Sequence, residues 1–379
     1  MTFPKFLPYV WKTVLRARTR SLLTVLGTGL ALALFAFVRT LEAGVSDLER
    51  KADAPVLVVF QQSRFCPLTS QLPVRYRDDI ARIDGVEAVL PTLVFVNQCQ
   101  SNLDLVTLHG VDPAALSAVE RLSASSGDLE SWKGVADGAL IGRRLAAHRK
   151  LSVGDRVRLG NVDVTVRGIV DSDGPGLDNV AFVHLPQLQL ARDLQGQATQ
   201  FLVKLRPGAD GVAVARAIDD RFRTDEAPTD TKSQQAFVEA AVGEVAGIVG
   251  FGRLLGYLAV LVVVLVLGNT VFISAETRAG ELGTLETLGL GKPSLAGLLV
   301  AESLVLALVG GLLGTGAVVL WLALSPTTLG IEGFGIDFLA GFPVLVDGIL
   351  ASLAVGLLAA AGPALAALSR PLAVAVRPA

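Results

Sequence analysis

The sequence has 379 residues, of which 51% are hydrophobic and 18% are charged, and its mean hydropathy is +0.56. Ordinary soluble domains are about 25% charged, so this composition excludes a purely soluble protein and indicates a membrane protein. The net charge of −2 argues against a nucleic-acid partner, because no excess of basic residues is present to neutralise phosphates.

Residues 1–20 form a basic segment with five lysines and arginines and no acidic residue. Apolar residues between Phe3 and Leu15 recur with the spacing of an amphipathic helix, and Pro8 marks the start of its regular part. This pattern predicts a helix in the plane of the lipid headgroups, where anionic lipid favours the basic residues. The alternative is a simple flank of the first membrane span.

Four apolar runs are long enough to cross a bilayer, which takes about 20 residues. We assign these spans to residues 21–41, 247–275, 293–324 and 348–369. An alternative interpretation of the first run is a signal sequence, although it is longer than usual and shows no clear cleavage site. We therefore predict an α-helical membrane protein with four transmembrane helices, arranged one plus three, and a large domain over residues 42–246.

The distribution of lysine and arginine predicts the orientation. Residues 1–20 and 370–379 are basic and lack acidic residues, whereas residues 325–347 hold three acidic residues and no basic one. Both tails are therefore expected in the cytosol, together with residues 276–292. Residues 42–246 and the loop 325–347 are expected on the outer side.

The external segment alternates short strand-like and helix-like stretches, which predicts an α+β domain. A helix is expected over residues 140–149, and another over 233–249 that leads into the second span. Cys66 and Cys99 both lie in this segment and show no CxxC spacing. In an oxidising compartment they are expected to form a disulfide, with two free thiols as the alternative.

Several kinds of chemistry are missing from the sequence. The three histidines show no metal-ligand spacing, and no G-x-S-x-G motif is present. Gly291-Lys292 matches the end of the phosphate-loop motif G-x-x-x-x-G-K-[ST] only in part. Glu286 stands where the motif needs its first glycine, and Pro293 stands where it needs serine or threonine. We therefore expect no enzymatic activity, no metal site and no bound cofactor in this chain.

The segment 276–292 carries a short helical pattern between two apolar spans. Leu282, Leu285 and Leu288 recur three residues apart, and Arg278 stands three residues before Glu281. This pattern predicts a small cytosolic helix presented to a soluble partner.

Glu302 is an ionisable residue well inside the third apolar run, about 12 Å past Ser294 at 1.5 Å per residue. A charge at this depth is expected either to pair with a polar neighbour near the inner interface or to serve in an ion relay. Farther along the same run, Gly310, Gly311 and Gly314 give a small-residue spacing that suits helix contacts within the chain or across a dimer.

These features resemble the MacB/FtsX-like permease family of bacterial ABC transporters. The resemblance lies in the basic entry Leu15–Gly27 and in the segment 276–294 with its continuation through Glu302 to Gly314. It also lies in four short external motifs, which are Gly85–Val89, Gly110–Pro113, Ile141–Leu145 and Leu151–Asp155.

The resemblance implies an inner-membrane permease that works as a homodimer or heterodimer with a separate cytosolic ATPase, which binds ATP and Mg²⁺. Residues 277–288 would form the coupling helix. The residues expected to couple to the ATPase are Arg278, Glu281, Leu282, Leu285, Glu286 and Leu288. Glu276 and Glu286 make this segment more acidic than is usual in the family. The resemblance therefore does not identify which ATPase is the partner.

In this family, ATP-driven closure moves the spans and the external domains respond. The implied function is export or extraction of a substrate, with a periplasmic adaptor or substrate protein as a further partner. The alternative is an ATP-driven regulator that recruits or activates a periplasmic protein such as a cell-wall hydrolase. The large external domain favours transport.

Overall fold

The computed structural model describes residues 12–14, 16, 18–63, 69–98, 105–159, 162–325, 328–331 and 334–369. Most of the predicted amphipathic segment, together with Cys66 and Cys99, lies outside the described residues. The chain divides into two compact units. We call Met1–Glu42, Gly247–Ser325 and Leu339–Ala379 the membrane unit, and Ala43–Ala246 with Pro326–Phe338 the external unit.

The helices, in chain order, are α1 (Arg18–Lys51), α2 (Tyr76–Ala81), α3 (Pro113–Val119), α4 (Leu129–Lys133), α5 (Arg143–Arg149), α6 (Leu185–Ala191), α7 (Gly211–Phe222), α8 (Gln234–Thr277), α9 (Ala279–Thr287), α10 (Lys292–Leu324) and α11 (Phe342–Ser369). The strands are β1 (Val56–Gln61), β2 (Leu72–Pro73), β3 (Val86–Gln98), β4 (Leu105–Val111), β5 (Leu122–Gly127), β6 (Gly138–Gly142), β7 (Arg156–Leu159), β8 (Val162–Ser172), β9 (Val180–His184), β10 (Gln197–Ala198), β11 (Gln200–Leu205), β12 (Thr229–Ser233), β13 (Thr328–Ile331) and β14 (Phe334–Asp337).

Four helices in the described part of the chain, namely α1, α8, α10 and α11, are long and apolar enough to cross a membrane. The shortest of them, α11, has 28 residues and is therefore about 42 Å long. Large apolar side chains such as Leu30 and Leu265 are exposed on these helices, as expected where a surface faces lipid rather than water. The predicted one-plus-three arrangement is confirmed.

Glycines allow α10 to approach its neighbours closely inside the membrane unit. A Cβ atom at Gly314 would lie 2.0 Å from the carbonyl oxygen of Gly29 on α1. A Cβ atom at Gly311 would lie 1.8 Å from the Oγ of Ser352 on α11. Real Cβ atoms cannot approach so closely, so a larger residue at either position would force the helices apart. The small-residue spacing in α10 therefore serves contacts within this chain.

The external unit is built on one mixed ten-stranded sheet. Its strand order is β12-β1-β11-β3-β4-β9-β6-β8-β5, with β7 paired to β8. The pairs β4–β9 and β6–β8 are parallel, whereas the other pairs along this sheet are antiparallel. A mixed sheet with helices between its strands confirms the predicted α+β class.

Both faces of the sheet are covered, which explains why β1 reads as an unbroken apolar run. Val58 packs into a buried cluster that includes Leu116 of α3. Val59, the next residue, points to the opposite face and joins a cluster with Ile218 and Phe222 of α7. A strand that is covered on both faces needs apolar residues at consecutive positions rather than at alternate ones.

The described parts of the connection between α10 and α11 form a hairpin, β13 with β14, that belongs to the external unit. Asp337 of this hairpin forms an ion pair with Arg144 of α5, at 2.7 Å between Oδ2 and Nη1. Its backbone lies so close to Gly44 that a Cβ atom there would be 1.8 Å from the Asp337 carbonyl oxygen. Burial raises the pKa of Asp337 to about 6, and Arg144 opposes that effect. The hairpin is thus packed tightly against residues distant in sequence.

Two predicted elements differ from the structure. The helix expected over residues 140–149 begins only at Arg143, because Gly138–Gly142 forms strand β6 between β8 and β9. The connection predicted as the loop 325–347 contains the β13–β14 hairpin, and α11 starts at Phe342, six residues before the predicted span. In both places sheet pairing or packing within the fold determines the structure.

Candidate functional site

A short helix, α9, separates the second and third membrane helices, as the sequence predicts. Arg278 interrupts the helical path, with φ −114° and ψ 14°, so α8 ends at Thr277 and α9 begins at Ala279. At the other end Gly289 adopts a left-handed φ of +97°. The amide of Leu290 then donates to the carbonyl of Leu285 at 3.1 Å, which is typical of a glycine-terminated helix. Arg278 and Gly289 therefore define a separate nine-residue helix.

The three predicted leucines, two on α9 and Leu288 directly after it, do not all face the same way. Leu282 and Leu285 pack against Leu295 and Leu298 at the start of α10. Leu288 is 76% exposed. The first two leucines hold α9 on the membrane unit, and Leu288 remains on the surface that a soluble partner can reach.

A polar network around a buried carboxylate joins α8, α10 and the residue that precedes α9. Glu302 of α10 is buried, and its Oε2 atom pairs with Arg278 Nη1 at 3.1 Å. The hydroxyl of Ser274 on α8 donates to Glu302 Oε1 at 2.8 Å. Both carboxylate oxygens therefore have partners, which satisfies the requirement for keeping a charge in an apolar surrounding. Glu302 therefore has the polar neighbours that one of its two expected roles requires.

Glu281 extends this network to the N-terminal segment. Its Oε2 atom lies 3.5 Å from Arg278 Nε, and its Oε1 atom forms an ion pair with Arg16 Nη1 at 3.0 Å. The Arg16 side chain is 80% exposed, and exposed pairs contribute only about 0–1 kcal/mol. The contact with Arg16 therefore has a minor energetic role beside the buried pair.

An apolar cavity of about 310 Å³ lies where α8, α9, α10 and α11 meet. Leu282 and Leu299 contribute apolar walls, and Glu276 and Glu286 contribute carboxylates. Glu286, predicted to couple to a partner, therefore lines this cavity.

The structure thus brings Arg278, Glu281 and Glu302 together and holds Leu282 and Leu285 against α10. Sequence reasoning missed Ser274, which completes the pairing of Glu302. The signal was present, because Ser274 is a polar residue in an apolar helix, one helical turn before Arg278. Groups of three or more metal-binding side chains are absent from the described residues.

Two family models match the sequence. The model described as the MacB-like periplasmic core domain matches residues 21–221, which is more than half of the chain. The model described as the FtsX-like permease C-terminal matches residues 253–372, which include α9, α10 and α11. None of the curated proteins compared with the chain matches it.

Solved structures of similar regions show low sequence identity. The periplasmic region of MacB from Actinobacillus actinomycetemcomitans is 9% identical, with a TM-score of 0.40 over 50% of this chain and 94% of that one. The extracellular domain of the ABC-type transporter YknZ from Gram-positive bacteria is 18% identical, with a TM-score of 0.36 over 47% of this chain and 99% of that one.

The two family matches occur in the expected order, the first over α1 and most of the external unit and the second over the last three membrane helices. They bear out the resemblance suggested by the basic entry, the external motifs and the α9 segment. The chain therefore belongs to the MacB/FtsX-like family of ABC transporter permeases, membrane proteins with an extracytoplasmic domain.

Proposed function

We propose that the chain couples ATP hydrolysis by a separate cytosolic ATPase to movement of its external unit, in the manner called mechanotransmission. The observation that carries this proposal is the attachment of α9. The helix is fixed to α10 by leucine packing and linked to α8 and α10 through Arg278, Ser274 and Glu302. A force applied to α9 would therefore reach both membrane helices.

Helix α8 supplies a path for that force. It is one helix of 44 residues, from Gln234 after strand β12 to Thr277 before α9. A continuous helix transmits displacement along its axis because every internal turn is hydrogen-bonded. ATP and Mg²⁺ would be held by the ATPase, and a dimer of permeases in the inner membrane, with cytosolic termini, would complete the machine.

We further propose that the task is export or extraction of a substrate from the outer side, with a periplasmic adaptor or substrate protein as partner. The size of the external unit supports this choice, because Ala43–Ala246 alone gives a domain with two covered sheet faces. Activation of a periplasmic protein is the competing function. Recovery of a cell-wall hydrolase with the purified chain would favour that competitor.

Leu288→Arg should reduce ATPase recovery at least about tenfold, because an exposed leucine directly after α9 is suited to a hydrophobic pocket of the partner. The measurement is affinity purification of the tagged chain from native membranes, followed by mass spectrometry and an ATPase assay. Leu190→Arg is the matched control, since Leu190 is 69% exposed in the external unit. Unchanged recovery with Leu288→Arg, or equal loss with both variants, would refute the docking assignment.

A further inference from the structure

A cavity of about 380 Å³ lies within the external unit, beside the start of β1. Cavities that bind small molecules measure roughly 300–1,000 Å³, so its size suits a compact ligand. Polar residues from five parts of the chain contribute to its wall: Lys51, Glu120, Asp173, Lys204 and Gln234. Lys51 ends α1 and Gln234 begins α8, so the wall includes residues from both helices that connect the external unit to the first two membrane spans.

Glu120 is the unusual member of this wall. Glu120 is only 8% exposed. Among the described residues, none donates a hydrogen bond to its carboxyl group. Gly174 lies directly against it, since a Cβ atom there would be 2.7 Å from Glu120 Oε2. Burial and the charge of Asp173 raise the pKa of Glu120 to about 7. A buried carboxylate without a donor is costly, so the cavity favours a ligand that supplies one.

The basic residues around the cavity are largely committed to other acids. Lys51 pairs with Asp178 at 3.2 Å, and Lys204 pairs with Glu87 at 2.9 Å. Arg50 and Arg121 also line the cavity but are exposed to solvent, as is the acidic Asp53. None of these basic groups offsets the effects of burial and Asp173 on Glu120. The unmet requirement is therefore a positive charge with hydrogen-bond donors.

We propose that this cavity binds the primary ammonium group of a small ligand or lipid headgroup. Glu120 would accept its hydrogen bonds in the interior, Asp173 would add negative charge, and Val56 and Val119 would contact the aliphatic part. An ammonium group carries three donors on one centre, which suits a carboxylate that has none. A bare divalent cation is less suitable, because the described residues offer no group of three or more acidic or other metal-binding side chains.

The test uses the full chain in detergent without added lipid, with 1,4-diaminobutane as the probe and 1,4-butanediol as its uncharged counterpart. We expect the diamine to raise the thermal midpoint and the diol to leave it unchanged. Diamine affinity should rise about tenfold from pH 6 to pH 8, because a carboxyl with a pKa near 7 changes from about one-tenth to nine-tenths ionised.

Glu120→Gln should remove both the binding and its pH dependence. Glu130→Gln should change neither, since Glu130 is an exposed glutamate of the same unit. A second arm uses nanodiscs with phosphatidylethanolamine or phosphatidylcholine, and stabilisation by the first lipid alone would identify a headgroup as the source of the ammonium. An equal response to the diol, to Mg²⁺ alone, or in Glu120→Gln would overturn the proposal. Because none of these readouts involves the ATPase, failure of the coupling proposal would be seen separately.

The ligand-free protein provides an independent prediction about Glu120. The folded state retains a proton on Glu120 that the unfolded chain releases, so the contribution of Glu120 to stability is greatest below pH 4.5 and is lost as pH rises through 7. Glu120→Gln cannot ionise and should melt about 2–4 °C above the parent at pH 8 but at the same temperature at pH 5. Thermal unfolding of the full chain at both pH values measures the difference. Parallel pH profiles for the two proteins would show that Glu120 does not titrate in this range.

Discussion

Arg278→Ala should abolish ATPase coupling and destabilise the membrane unit. Arg278 is the cation that contacts the buried Glu302 carboxylate at 3.1 Å, and removing one member of a buried pair costs roughly 3–5 kcal/mol. Glu302→Gln should be milder, because glutamine removes the charge and keeps an oxygen that accepts the Ser274 hydroxyl. Thermal midpoints of the purified chain test the structural part, and ATP hydrolysis by the reconstituted complex tests coupling.

The double variant, Arg278→Ala with Glu302→Gln, separates a paired network from two independent residues. If the loss in Arg278→Ala comes from a stranded carboxylate, neutralising Glu302 should restore part of the thermal stability. Arg223→Ala serves as the control for loss of an arginine, since the Arg223 side chain is 75% exposed. Additive destabilisation in the double variant would contradict the role of Arg278 as the partner of a buried charge.

Gly314→Val is expected to prevent correct packing of the membrane unit. Its Cβ atom would lie 2.0 Å from the Gly29 carbonyl oxygen, and a backbone atom cannot move aside as a flexible side chain can. Helices α1 and α10 would have to separate, with an expected cost above about 4 kcal/mol. Size-exclusion chromatography and thermal unfolding after detergent extraction should show an aggregated or strongly destabilised protein.

Gly316→Val is the matched control in the same helix. The space around a Cβ atom at Gly316 is open to at least 4 Å, so the substitution adds the same side chain without a clash. Both variants change helix propensity alike, and their difference isolates the contact with Gly29. Equal behaviour of the two proteins would mean that α1 and α10 do not approach as closely as the structure indicates.

The membrane architecture could be predicted from the sequence because each span is a local property of about 20 residues. The α9 segment was likewise visible, since Arg278 and Gly289 lie at its ends. Pairing between helices is a property of the whole fold. The sequence indicated a polar partner for Glu302, but residues 24 and 28 positions away had to be brought together by folding before Arg278 and Ser274 could be identified.

The external unit shows a different limit. The apolar run at Ala139–Ile141 is compatible with a helix or a strand, and its pairing with β8 and β9 decides in favour of a strand. Glu120 lies between Val119 and a charged neighbour, Arg121, so the sequence suggests an exposed position. Its burial depends on the approach of Gly174 from a loop more than 50 residues later.

The β13–β14 hairpin has a consequence for building chimeric permeases. A transplant of Ala43–Ala246 alone would separate Arg144 from Asp337 and place a foreign connection against Gly44. The two segments of the external unit therefore form a single exchangeable module, even though two membrane helices and α9 lie between them in the sequence. Evolutionary exchange of external domains among such permeases would face the same constraint, with compatible changes needed at both places in the gene.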